Sequence, residues 1–273
     1  AAVDWLRKKG LASAAKKASR IAAEGLVAVA VDGNKGAVVE VNSETDFVAK
    51  NDMFQEYVAD AALVALMHNG EVCDMKTFQC PKVHKSFEER LTDLIAKIGE
   101  NMNLRRAAML EVSNGVIASY VHNACKPNLG KIGVLVALES NGDKAKLQEL
   151  GKHIAMHVAA SNPQFLTIAD VDQASIDHEK AIFSEQAKAS GKPENIIEKM
   201  VEGRIKKYFD EVVLEEQAYI MDPDKKVKQI VADAAKEMGA DIKLKAFVCF
   251  RLGEGLEKRN EDFAAEVASQ LKK

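Results

Sequence analysis

Aromatic side chains are scarce in this chain, about one residue in twenty, while Ala and the aliphatic residues are abundant. That balance favours helices packed on small sheets. Four cysteines, Cys73, Cys80, Cys125 and Cys249, are scattered with no spacing that reads as a disulfide framework. They are expected to be reduced and mostly packed thiols, in keeping with a reducing cytoplasm or a mitochondrial matrix. No run approaches the roughly eighteen apolar residues of a membrane span, and no basic-apolar-cleavage pattern opens the chain, so no membrane role is expected. Neither sign of charge is in large excess. The formal net charge is −3 over 273 residues, so no overall positive field draws the protein to RNA, DNA or an anionic membrane, and no nucleic-acid partner is expected.

The signatures of common chemistry are equally absent. Gly151-Lys152 lacks the Gly and Ser/Thr offsets of a phosphate-cradling loop, and Gly253-Glu254-Gly255 places an acid where phosphate would sit, so direct nucleotide binding is not expected. No Gly-x-Ser-x-Gly elbow occurs. His68, Cys73, Cys80 and His84 lack the close Cys pairs of structural zinc sites. His153 and His157 stand four apart on a helical segment, as two ligands on one face would, yet Leu147, Leu150, Ile154 and Val158 mark the buried stripe and the pair reads as flanking a core. The expectation is a protein that is not an enzyme, with no catalytic residues, no cofactor and no metal.

What is present is a regular order of elements. Ala1 to Arg20 reads as a helix whose Lys8, Lys9, Lys16, Lys17 and Arg20 form a solvated basic face. Leu26 to Val31 and Ala37 to Val41 alternate as strands around Asp32-Gly33-Asn34-Lys35-Gly36, a tight hairpin. A long helix from about Thr45 to His68 follows, then a polar stretch from Asn69 to Lys85, a helix from Ser86 to Glu100 and a strand from Asn103 to Val112. A similar plan recurs: a hairpin of Val116 to Val121 and Ile132 to Leu138, helices Lys144 to Ala160 and Val227 to Met238, and a closing strand Lys243 to Arg251. Two helices intervene, Asp172 to Ser190 and Glu194 to Val213, joined by Gly191-Lys192-Pro193, a Gly stop and a Pro start. Ile197, Met200 or Val201, Ile205, Tyr208 and Val212 keep a spacing near 3.5 residues, which predicts an antiparallel helical hairpin, a short coiled coil. Glu261 to Leu271 reads as a last amphipathic helix. The expected fold class is α+β: two related subdomains, each a three-stranded antiparallel sheet covered by helices, with an inserted coiled coil and a C-terminal helix.

The most informative stretch is Val38-Val39-Glu40-Val41-Asn42-Ser43-Glu44-Thr45-Asp46-Phe47-Val48-Ala49-Lys50-Asn51. Val39 and Val41 alternate with Glu40 and Asn42 as in a half-buried strand, and Phe47, Phe54, Val58, Ala61 and Ala65 then recur at helical spacing. Ser43, Thr45 and Asp46 are each competent to cap that helix. Lys50 and Asn51 interrupt the apolar stripe before it reaches Phe47. The periodicity leaves two readings open: Asp46 a cap and Phe47 the start of the core, or both exposed to meet a partner.

Thr45-Asp46-Phe47-Val48, with Glu40-Val41-Asn42 before and Ala49-Lys50-Asn51 after, resembles the signature of the elongation factor Ts family, guanine nucleotide exchange factors for elongation factor Tu. Lys97-Ile98-Gly99-Glu100-Asn101 with Arg105-Arg106, His153-Ile154-Ala155-Met156-His157, Gly191-Lys192-Pro193, Glu198 to Arg204 and Asp262 to Val267 occur in the family's order. The resemblance covers nearly the whole chain. It implies that Thr45, Asp46, Phe47 and Val48 meet the GTPase near its magnesium. It also implies a secondary contact from His122, followed by Asn123 where the family has Gly and by a longer hairpin tip at 124–130. The domain plan it implies is a remnant of an N-terminal helical domain at 1–18, core subdomains at 19–113 and at 114–166 with 216–255, a helical hairpin at 167–215 that touches the partner far from its nucleotide, and a C-terminal module at 256–273. Elongation factor Tu is the expected partner, and a homodimer through that complex is one assembly the resemblance allows. A non-catalytic binding or chaperone-like partner of a translation GTPase is the alternative class, and an RNA-associated scaffold using the Lys8 to Arg20 face a third.

Overall fold

The computed structural model describes residues 2–80, 84–188 and 193–257. Helix α1 (Ala2–Lys17) leads into the hairpin of β1 (Glu24–Asp32) and β2 (Lys35–Ser43), and one 3-10 turn, Val48–Lys50, precedes α2 (Asp52–Met67). Helix α3 (Val72–Thr77), the two-residue strands β3 (Gln79–Cys80) and β4 (Lys85–Ser86), α4 (Phe87–Ile98) and β5 (Met102–Glu111) come next. The second half runs through β6 (Gly115–His122), β7 (Leu129–Gly130), β8 (Ile132–Ser140) and α5 (Lys144–Ser161) to the paired helices α6 (Gln173–Lys188) and α7 (Glu194–Val212). Short strands β9 (Ala218–Tyr219) and β10 (Asp222–Lys226), helix α8 (Val227–Met238) and β11 (Ile242–Arg251) close it.

Mixed α/β architecture built on small antiparallel sheets is what these elements form. The strand orders are β5-β2-β1-β7 and β11-β8-β6. Alternation along each hairpin divides its side chains between two interfaces. Leu26, Ala28, Ala30, Ala37, Val39 and Val41 pack beneath α2 and α4 with Phe54, Val58 and Leu94, whereas Val27, Val29 and Val38 meet Ile117, Leu135, Ala137 and Phe250 of the other sheet. Val134, Val136 and Leu138 point the opposite way, to Leu147, Ile154 and Val231 of α5 and α8. The order is therefore helices, sheet, sheet, helices. Glycines permit the close approach of the sheets: a Cβ on Gly133 would stand 2.6 Å from Val27 Cγ1, and one on Gly36 2.5 Å from Ile117 Cγ2.

This layering corrects the reading of β2 as half-buried. Val38, Val39, Glu40 and Val41 are all fully buried and Asn42 nearly so, because the second sheet covers the face that alternation assigned to water. A carboxylate at such a depth needs partners. Glu40 Oε1 accepts from Arg105 Nη1 at 3.0 Å, Asn42 Nδ2 at 2.9 Å and Gly253 N at 2.9 Å, and Oε2 accepts from Arg106 Nε at 2.6 Å. Arg106 also donates to Arg251 O at 3.0 Å and lies 4.2 Å from the Phe250 ring centroid. Glu40 thus ties the first sheet to the turn after β11. Burial alone would push its pKa up, but the bonds from Gly253, Asn42 and Arg106 outweigh that and hold it below the usual carboxylate range.

Other sequence expectations need smaller corrections. The first sheet has four strands, since β7, from the second half, pairs with β1 through Val27–Gly130 and Ala28–Leu129. The 69–85 stretch contains α3 and the β3–β4 pair. The β9–β10 hairpin had no strand-like alternation to announce it. Two thiols, Cys73 and Cys125, are exposed, not packed. Helices α6 and α7 run antiparallel: Arg204 lies over the Phe183 ring at 6.0 Å, while Tyr208 and Phe209 pack with Ile176 and Val171 at the base. Pro193 directly precedes α7 as expected, but Gly191 and Lys192 of the turn, and the helix expected at 261–271, lie outside the described residues.

Candidate functional site

The junction between β2 and α2 folds differently from its helical reading. Asn51, not Ser43, Thr45 or Asp46, caps α2: its Oδ1 accepts from Met53 N at 3.0 Å and Phe54 N at 3.3 Å. The other candidates are engaged elsewhere or turned to water. Ser43 Oγ donates to Thr45 O at 2.9 Å, and Thr45 donates from its N–H (2.9 Å) and its hydroxyl (2.7 Å) to the two oxygens of Glu100. Glu44 Oε1 accepts from Asn101 N at 2.5 Å and from Arg20 at 3.4 Å. On the far side Val48 and Ala49 are buried in the first core.

Between these two anchored points stand Asp46 and Phe47. Phe47 is 73% exposed, more than any other large hydrophobic residue among the described ones. Its backbone is helical in dihedrals (φ −63°, ψ −35°), and its carbonyl accepts from Lys50 N at 3.1 Å. Lys50 Nζ lies 5.6 Å from the ring centroid. Asp46 is exposed, and among the described residues its side chain takes no hydrogen bond or ion pair. Of the two readings left open by periodicity, the geometry matches the one in which the ring faces outward.

The second hairpin reaches the same neighbourhood. His122 ends β6, exposed, with Nδ1 3.1 Å from Tyr120 Oη. Asn123 takes φ 51° and Asn128 φ 64°, the left-handed region that Asn enters more readily than other non-glycine residues, so Asn123 supplies the backbone freedom of a Gly. The tip folds back over the start of α2. Lys126 Nζ pairs with Asp52 Oδ1 at 2.8 Å, which draws the exposed Asp52 carboxyl below its ordinary value, and Val29 N donates to Asn128 O at 3.0 Å. His122 thus stands four residues before Lys126, in the hairpin whose tip pairs with the start of α2.

The remaining sequence candidates do not gather into a site. His157 lies wholly inside the second core, not on its flank: Nε2 is 2.8 Å from Gln217 Oε1 and Nδ1 accepts from Ile220 N at 3.2 Å. Accepting at Nδ1 fixes the neutral tautomer with the proton on Nε2. Burial pushes its pKa down, against the Gln217 bond, which pushes it up. Above about pH 6.5 the imidazole is neutral in both folded and unfolded chains; below it the unfolded chain takes the proton first, and stability falls as pH drops through the depressed folded value. His157→Gln should cost about 1–3 kcal/mol at pH 7.5, from the unpaired Ile220 N–H, and should flatten the decline of stability between pH 7 and 5. Urea unfolding at both pH values checks this. A variant as pH-sensitive as wild type would remove His157 from the account. Among the described residues no three His, Cys, Asp or Glu side chains converge as a metal-binding group, and no helix is long and apolar enough to cross a membrane.

A family model described as Elongation factor TS matches residues 44–254, starting within the strapped junction itself. The chain belongs to the elongation factor Ts family. Curated relatives carrying that name extend the likeness beyond the matched span. One from Paramagnetospirillum magneticum is 58% identical over 99% of this chain and 86% of its own length, and one from Rhodospirillum rubrum is 57% identical over 100% and 89%. A third, from Bartonella bacilliformis, is 55% identical over 99% and 88%.

Within this elongation factor Ts chain, sequence reasoning missed three residues that build the site: Asn51 as cap, Glu100 as strap and Asp52 as the partner of Lys126. Asn51 could have been found, since Asn followed by an acidic first helical residue is a common start. Glu100 could not, because its partner is 55 residues away in the chain.

Proposed function

We propose that the chain binds elongation factor Tu carrying GDP and promotes GDP release and GTP loading by destabilising the magnesium and phosphate site of that GTPase. The observation that carries the reading is the outward Phe47 ring, held between the Thr45–Glu100 strap and the buried Val48–Ala49 pair. Magnesium demands near-ideal octahedral geometry from its ligands and waters. Phe47, driven between elements of the GTPase, displaces what positions those ligands, and the exposed Asp46 carboxylate brings a competing acceptor close by. A small loss of geometry weakens metal and diphosphate together.

Because coupling between two binding equilibria is reciprocal, a chain that lowers GDP affinity is itself expelled by incoming nucleotide to the same degree. It therefore turns over without making or breaking a covalent bond, and Thr45, Asp46, Phe47 and Val48 form the primary contact. His122, the α6–α7 pair as a projecting coiled coil in the 167–215 insertion, and the 256–273 module add affinity that offsets distortion at the nucleotide. On this reading 19–113 is the subdomain that carries the wedge, and 114–166 with 216–255 is the one that braces it. The compartment implied is the bacterial cytoplasm.

Release of a fluorescent GDP analogue from elongation factor Tu, followed with and without the chain, is the direct test. Acceleration that saturates with chain concentration is expected. A chain that forms the complex but leaves release unchanged is only a binding module, and RNA retention on filters that weakens steeply with salt would favour a scaffold.

A further inference from the structure

The strap on Thr45 has a role of its own. We propose that Glu100 is the positioning residue of the exchange tip, its carboxylate grasping Thr45 at two points so that Asp46 and Phe47 are presented rigidly to the GTPase. Both Glu100 oxygens are committed to Thr45, one to the backbone N–H at 2.9 Å and one to the hydroxyl at 2.7 Å. Such a two-point grip fixes orientation as well as distance. The strap is itself anchored: Gly99, with φ 91°, ends α4 in the left-handed conformation and its N–H bonds Ile95 O. The next residue, Asn101, holds Glu44 through its N–H and Arg20 O through its side chain at 2.7 Å. Downstream, Val48 and Ala49 are seated in the core and Asn51 caps α2.

Between these fixed points stand the two exposed side chains of Asp46 and Phe47. A wedge transmits displacement only if its base does not yield, and a backbone left free must be ordered when it docks, at an entropic cost for each residue. Nothing else about Glu100 calls for so specific a grip, since the α4 terminus already has its glycine cap and the Glu44–Asn101 bond closes the junction without it. This role presupposes the exchange reading above, and two readouts separate them.

The first readout needs no partner. In a Trp5→Phe background, which removes the chain's one native tryptophan, Phe47→Trp places a reporter on the tip. Adding Glu100→Ala or Thr45→Val should shorten its nanosecond anisotropy decay, with Thr45→Ser leaving it unchanged. The second is GDP release at increasing chain concentration. Glu100→Ala should lower the plateau rate about tenfold, equivalent to ~1.4 kcal/mol, with the half-saturating concentration changed less than about threefold, as expected when placement and not uniform binding is lost. In a Phe47→Ala background the same change should cost much less, because most of what Glu100 positions is that ring. An unaltered anisotropy decay, an effect confined to half-saturation, or equal loss with and without Phe47 each overturns the role. If wild type accelerates release, Phe47→Ala lowers it sharply and Glu100→Ala keeps the full plateau, only the Glu100 role fails. If wild type does not accelerate release, the exchange reading fails, and the Glu100 role falls with it.

Discussion

Phe47→Ala should lower the plateau rate of GDP release from elongation factor Tu by about 30-fold, the rate equivalent of losing an interfacial aromatic worth ~2 kcal/mol. Phe47 is 73% exposed and packs on little of its own chain, so its truncation should leave stability within about 0.5 kcal/mol of wild type. The two measurements together distinguish a wedge from a structural residue. Were the ring part of the core, stability would fall by roughly 3–5 kcal/mol on truncation and release would fall only through loss of folded protein. Stopped-flow release paired with thermal unfolding reads both quantities on one preparation. A rate loss without a stability loss supports the wedge; the converse pattern opposes it.

Glu40→Ala should do the opposite, destabilising the fold while leaving the exposed Asp46–Phe47 tip unaltered. Removing one partner of a buried, hydrogen-bonded charge cluster costs about 3–5 kcal/mol, because the remaining groups lose their compensation. Arg105, Arg106 and the Gly253 N–H all converge on this carboxylate. For a chain of this size a melting point lower by roughly 6–20 °C is expected. Acid should act along the same path. Glu40 is held below the ordinary carboxylate range in the folded chain, so its contribution is complete above the unfolded value of about 4.3 and is lost as pH falls through the depressed folded value. Glu40→Gln should therefore melt lower at neutral pH and decline less steeply in acid than wild type. A melting point within about 2 °C of wild type in Glu40→Ala, well short of what such a loss costs, would show that the arginines and the Gly253 turn are satisfied by solvent.

Local patterns carried most of the architecture. Alternation gave the two long hairpins and the helical readings gave α5 and α8 to within a residue, whereas the helix read to Glu100 ends at Ile98, where Gly99 turns left-handed. Misread features depend on groups distant in sequence. Glu40 looked like a solvent-facing strand residue because nothing local reveals that a second sheet, and the turn at Gly253, will cover that face. The helix start was placed too early because Ser43 and Thr45 are good caps in isolation, and only the tertiary bond to Glu100 takes Thr45 out of that role. His157 was given a flank position by its stripe, while Gln217 and Ile220, some sixty residues on, draw it fully inside. Phe47 was the residue periodicity could not decide. Its stripe matched the core, and only the packing of Val48 and Ala49 beneath it, with Asp46 turned to water, shows which way the ring faces.

The most direct test of the central claim compares GDP release from elongation factor Tu at saturating wild-type chain and at saturating Asp46→Ala/Phe47→Ala double variant, with complex formation confirmed for both. The double variant should bind yet return release to within a few-fold of the unassisted rate. Equal acceleration by the two folded proteins would contradict that claim.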